Sequence, residues 1–160
     1  MITRDFRRSE FRCPCCSLAE PHPALVIGLQ WEIRDLVLLP VHVHSGSRCA
    51  LRNRAVGGAP GSFHLPRLDM DGYTCAADIR VPSVALARLF NLAEASAAFR
   101  DGGIGIYVVT AGRSWLHVDV RGVAGLHPAA RWAYVDGQSA SIEGALREDE
   151  RRRALVAHGG

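Results

Sequence analysis

At 160 residues the chain is long enough for one domain with a proper core, and 48% hydrophobic with 22% charged residues is the makeup of an ordinary globular protein. The formal charge of +3 is mild, and its basic excess sits in the first dozen residues and in Arg147 to Arg153, with no aromatic-interleaved basic stripe; nucleic acid is not an expected partner. No stretch approaches about 18 consecutive apolar residues and Met1 to Arg8 has no apolar signal core, so neither membrane insertion nor signal-directed secretion is expected, and synthesis in the cytoplasm is.

Residues 1–16 are polar and Arg-rich and read as an N-terminal arm packed by Phe6 and Phe11, with a turn at Pro14. Five cysteines are present: Cys13, Cys15, Cys16, Cys49 and Cys75. An odd count with three clustered argues against a disulfide scaffold, and no second CxxC or His pair completes a structural zinc site with Cys13 and Cys16. Reduced, partly buried thiols are expected, with a structural metal or a bridge involving Cys49 as open alternatives.

Pro21 and Pro23 open a helix whose apolar positions are Leu25, Ile27, Leu29, Ile33, Leu36 and Val37, and which ends at Pro40. Val41 to His44 alternates as a short strand, with His42 and His44 on one face; a metal pair must be weighed there against a plain exposed face. Gly57 to Ser62 is a loop with little side chain, lacking the Gly-Lys-Ser/Thr of a phosphate loop. Cys75 to Val81 reads as a strand, and Pro82 to Phe99 as an amphipathic helix with an apolar stripe for the core. Two strands follow, Gly102 to Tyr107 and Trp115 to Val120. On the second, Trp115, His117 and Asp119 share one face, while Val118 and Val120 take the other. Pro128 to Gly137 reads as a closing turn or short strand, and residues 139–160 as a charged tail carrying a surface helix from Glu143 to Ala157. The order predicts an α+β fold: a small, mainly antiparallel sheet with packed helices, spanning residues 1–138.

Three candidate ligands stand out: His64 after the Gly-rich loop, Asp78 on a small-residue strand, and His117. Two imidazoles and a carboxylate with an open fourth position are a common pattern for catalytic zinc.

Larger motifs surround these residues. Ser45-Gly46-Ser47-Arg48-Cys49, Asn53 to Leu65 with His64, Ala76-Ala77-Asp78-Ile79, Gly102 to Tyr107 and Leu116-His117-Val118-Asp119-Val120-Arg121-Gly122 occur in that order. Together they resemble the zinc D-Ala-D-Ala peptidase family, and more narrowly its short single-domain members from phage endolysins and prophage regions. Phe6 to Cys16 and Arg131-Trp132 are similar to the ends of such domains, so the likeness covers about residues 5–137. The resemblance implies a Hedgehog/DD-peptidase-like fold, Zn2+ held by His64, Asp78 and His117, and Arg48 facing the carbonyl or carboxylate of a peptidoglycan stem peptide. A fixed cation with a forked donor array suits that task.

Two departures matter. The family's usual seven-residue step from His64 lands on Asp71, whereas its small-residue context surrounds Asp78; Asp78 is preferred, with Asp71 as the fallback. Many relatives carry an acidic base three residues before the last His, where this chain has Ser114. Asp119 is the remaining candidate for that proton relay, or else a partner that orients His117. The expected function is a zinc-dependent peptidoglycan peptidase, a monomer acting on the cell wall once released. The rivals are a zinc-binding relative that recognises cell wall without cleaving it, and a phage structural protein that has lost the metal.

Overall fold

The structure, a computed structural model, describes residues 2–109, 113–123, 125 and 127–158. The arm forms a short 3-10 helix, Arg8–Phe11, and buries Phe6 and Phe11, whose rings lie 6.1 Å apart. Helix α1 (Pro23–Gly28) has the expected Pro in its first turn and is capped by the His22 imidazole, which accepts from the Ala24 amide. It runs on through a π-helical stretch, Leu29–Arg34, into α2 (Asp35–Val37). The buried positions Leu25, Leu29, Ile33 and Val37 are four apart throughout. In an ideal α-helix each such step drifts by about 40°, so the widened turn is what keeps all four on the core face. Ile27 and Leu36, expected on that face, are exposed: each neighbours a buried position of the four-residue row but lies off it. The helix stops before Pro40, at Leu38, which takes a left-handed conformation with φ 58°.

Strand β1 (His42–Ser45) leads to α3 (Ala50–Ala55), a helix that the sequence reading did not foresee. Strand β2 (Ala76–Arg80) precedes α4 (Leu86–Ala95), which is shorter at both ends than the stretch expected from Pro82 to Phe99. Ala85 leads into it extended, and Ser96 leaves it extended, its hydroxyl accepting from the Ala98 and Phe99 amides. Strands β3 (Gly103–Val108), β4 (Trp115–Asp119), β5 (Ala130–Val135) and β6 (Gln138–Ala140) complete one sheet in the order β1-β2-β4-β3-β5-β6. All pairs are antiparallel except β3–β5, so the sheet is mixed. No described helix is long and apolar enough to cross a membrane.

Alternation divides the sheet by chemistry. Ile104, Ile106, Val108, Leu116, Val118 and Val120 are fully buried in the core together with Leu25, Leu29, Leu86 and Leu89 of the helices. The neighbouring positions Gly103, Gly105, Trp115, His117 and Asp119 take the opposite face.

The segment after 138, expected as a charged tail, is built into this architecture. Residue 138 lies inside the β5–β6 hairpin, where Val135 pairs with Gln138. Helix α5 (Ile142–His158) lies against β3 and β5. It buries Ala145 completely and presents the buried Asp149 carboxylate to the Leu86 amide (3.1 Å) and to Arg153 Nε (2.8 Å). Asp149 thus caps α4 from a distant part of the chain, since the methyl group of Ala85 cannot accept a hydrogen bond. Asp149→Ala leaves that amide unpartnered, removes the ion pair of Arg153, and is expected to cost about 1–3 kcal/mol, read as a lower urea midpoint at unchanged slope.

Candidate active site

One row of residues crosses the sheet. Ser45 lies opposite Asp78, Asp78 opposite His117, His117 opposite Gly105, and Gly105 opposite Trp132. The register brings Asp78 and His117 side by side, with His117 Nδ1 2.9 Å from Asp78 Oδ1. Gly105 is needed in this row: a Cβ there would stand 2.4 Å from the Trp132 indole, which covers that position and approaches His117 with ring centroids 5.0 Å apart. Asp71, by contrast, is exposed and caps the short 3-10 helix Leu68–Met70 with φ 54°, away from this row.

His64 enters from the Gly-rich loop. Its Nδ1–H donates to the Gly46 carbonyl at 2.6 Å, and its Nε2 lies 3.2 Å from both Asp78 Oδ1 and His117 Nδ1. The far nitrogen of His117 is spoken for as well, since Nε2–H donates to Asp119 Oδ2 at 3.1 Å. With both outward nitrogens protonated, the inward ones present lone pairs to each other and to a carboxylate oxygen. Such a buried trio is stable with a positive charge at its centre, either a proton on His117 Nδ1 shared with Asp78 or a metal ion. Burial lowers the pKa of His117, but hydrogen bonds to Asp119 and Asp78 hold it up to about 9. Burial likewise lowers that of His64. For Asp78 burial works upward, yet the two imidazoles keep it well below the ordinary carboxylate range. Two imidazoles and one carboxylate whose ligand atoms lie within 4.8 Å of one another, with both histidines oriented by outer acceptors, fit a zinc ion.

Asp119, the candidate for the proton relay, does not line the cleft. It is fully buried beneath His117. One oxygen accepts from the amides of Gly103 (2.8 Å) and Arg121 (3.1 Å); the other accepts from His117 and from Arg121 Nη2 (2.6 Å). Burial pushes its pKa up, but His117 and Arg121 outweigh it and hold the carboxyl well below its usual range. A fully hydrogen-bonded, buried carboxylate of this kind sets the tautomer and ring angle of His117. Room for the Asp119–Arg121 pair comes from Gly103, where a Cβ would fall 2.2 Å from Asp119 Oδ2. Ser114 offers no substitute base: it is buried and accepts from the Val109 amide.

Arg48 reaches Asp78 Oδ2 through Nη2 at 2.6 Å and Ser45 Oγ through Nε at 2.9 Å. Its amide donates to the His64 carbonyl at 2.7 Å, so the loop carrying Arg48 is tied directly to one of the three candidate ligands. A bulge in β1 between Val43 and Ser45 turns Ser45 toward this pair. The donors lie at the floor of a cavity of about 1240 Å³. One wall is aromatic, with Tyr107 stacked between Trp115 (4.9 Å) and Tyr134 (5.5 Å). Gly57, Gly58, Ala59, Gly61 and Ser62 of the Gly-rich loop also line it, and Arg12, Arg52 and Arg121 add positive charge. His42 and His44 are exposed and do not join the donors; His44 packs on Trp115 at 5.5 Å and lines the cavity. Arg121 was not singled out from the sequence, although it continues the alternation Trp115, His117, Asp119.

A family model described as Peptidase M15 matches residues 6–119, and the chain belongs to this family, the zinc D-Ala-D-Ala peptidases. It is thereby a member of a zinc metallopeptidase family whose substrates are peptides. No curated protein and no solved structure matches the chain.

Asp119→Asn separates the two roles considered for this residue. The carboxamide has one accepting oxygen and one donating NH2, so it cannot serve both the His117 side and the amides of Gly103 and Arg121, and the tautomer of His117 is no longer fixed. Zinc affinity is expected to fall by about 10–100-fold by competition titration. Unchanged affinity with a lowered kcat would instead identify a base.

Proposed function

We propose that the chain is a zinc-dependent peptidoglycan peptidase that hydrolyses a D-amino-acid peptide bond of the stem peptide, as a D-Ala-D-Ala carboxypeptidase or a cross-link endopeptidase. The observation that carries this reading is the convergence of His64, Asp78 and His117 at the floor of a cationic cleft, beside Arg48, in a member of this family. Zinc held by those three residues supplies a Lewis acid that polarises the scissile carbonyl and acidifies water.

The chain's own groups do the rest. Gly46 and Asp119 hold the two imidazoles in the tautomers that leave Nε2 of His64 and Nδ1 of His117 free. Arg48 presents a forked cation to the substrate carboxylate, or to the oxyanion that develops during attack. Arg12, Arg52 and Arg121 extend the positive field along the cleft, which suits a stem peptide rich in free carboxylates. Among the described residues, the acidic or imidazole side chains on the cavity wall outside the donor set are Glu10 and His44. With Asp119 enclosed, these two are the further candidates for proton transfer beside it. A phage lysis enzyme or virion protein is the setting that fits such an activity.

The second reading, a zinc protein that binds cell wall without cleaving it, is favoured by Ser114 at the position of the family's acidic base. Cross-linked muropeptides separate the two. Zinc-loaded protein is expected to cleave them, chelation to stop turnover, and Arg48→Ala to lower kcat/KM by about 100-fold or more with zinc retained. Tight muropeptide binding with no product from the zinc-loaded chain would establish the binding module instead.

A further inference from the structure

A second group of metal-type donors lies apart from the first. Cys13, Cys15 and Cys16 sit in a tight turn of the arm, closed by the Cys13 amide on the Leu18 carbonyl (2.7 Å) and the Ser17 amide on the Cys13 carbonyl (3.0 Å). The fold brings Cys49 to them from the residue after Arg48, supplying the fourth thiol that no CxxC or His pair in the sequence provides. The four sulfurs all lie within 4.8 Å of one another. Cys13 Sγ is 3.6 Å from Cys15 Sγ, and Cys15 Sγ is 3.1 Å from Cys49 Sγ. A tetrahedron of thiolates around one zinc has edges of about 3.8 Å, from Zn–S bonds of about 2.3 Å. A disulfide would bring one pair to about 2.0 Å, much closer than any contact here.

The surroundings suit thiolates. The Arg52 amide donates to Cys49 Sγ at 3.4 Å. Amide hydrogen bonds to sulfur stabilise metal-bound thiolate and tune such sites. The sulfurs are too close together to enclose a cluster of several irons and sulfides, and four protein ligands leave no open position for substrate or water.

We propose that Cys13, Cys15, Cys16 and Cys49 bind a structural zinc ion that clamps the N-terminal arm to the loop carrying Arg48. The clamp reinforces backbone contacts already made there, in which the Ser47 amide donates to the Phe11 carbonyl at 2.8 Å. It acts one residue from Arg48 and leaves Cys75, buried elsewhere in the core, outside the site.

Cobalt(II) exchange into the zinc-loaded full chain reads this site through its sulfur and independently of the histidines. An intense thiolate-to-cobalt charge-transfer absorption in the near ultraviolet is expected. It should persist, with one equivalent of metal, in the double variant His64→Ala/His117→Ala, and disappear in Cys13→Ser/Cys49→Ser. The four thiols should resist a disulfide reagent until a chelator is added. The proposal is overturned if the histidine double variant holds no metal and lacks the band, if the four thiols react at once, or if the purified chain carries iron or is lighter by the two hydrogens of a disulfide. Because the band belongs to the thiolates alone, loss of metal from the His64 site leaves it in place, and the two sites fail separately.

Discussion

Two imidazole nitrogens and a carboxylate oxygen held 2.9 to 3.2 Å apart in a buried site repel one another unless a proton or a metal ion lies between them. Much of the sheet's site face is arranged to maintain that crowding. Asp119 and the Gly46 carbonyl take the outward protons, so that both inward nitrogens face the centre. Arg121 neutralises Asp119, and Arg48 pairs with the oxygen of Asp78 that faces away from the trio. Gly103 and Gly105 remove the side chains that would push Asp119 and Trp132 out of place. Each substitution along this row therefore acts on the central charge through geometry, even where it never touches a donor.

The loop from Gly46 to Cys49 is where separate parts of the molecule meet. Gly46 accepts from His64, Ser47 bonds to Phe11 and Thr74, and Arg48 bonds to His64 through its backbone and to Asp78 through its side chain. Cys49 meets the cysteines of the arm. A six-stranded sheet can place Asp78 and His117 by register alone, but His64 and Arg48 lie on loops and need this network to hold them. The arm is thus a support for the site, although it contributes no donor to it.

The sequence made the central strand legible because alternation is a strict two-residue rule: His117 and Asp119 had to share a face, with Val118 and Val120 opposite. Motif context pointed to Asp78 over Asp71, and the pairing of Asp78 with His117 gives the physical reason, since a carboxylate on the neighbouring strand is held in register while one in an exposed turn is not. The role of Asp119 was left open because it depends on what lies beneath the strand. The face of a side chain follows from sequence, but its enclosure by Gly103 and Arg121 depends on pairing between strands. Helix α3 escaped notice because its cap is the Cys49 thiol, an unusual capping group, and its six residues carry no apolar period. The docking of α5 was equally hidden: a highly charged stretch reads as a tail until Ala145 and Asp149 are seen to meet the sheet and the start of α4, a contact spanning 63 residues. The parallel pairing of β3 with β5 is likewise long-range and leaves no local signature.

The central claim is that His64, Asp78 and His117 together hold zinc. Anomalous diffraction from crystals of the zinc-loaded chain, measured on both sides of the zinc absorption edge, tests it most directly. The account predicts a zinc peak bounded by His64 Nε2, His117 Nδ1 and an Asp78 oxygen, with Asp119 still on the far nitrogen of His117. A fully zinc-loaded crystal with these side chains ordered and no peak among them would contradict it.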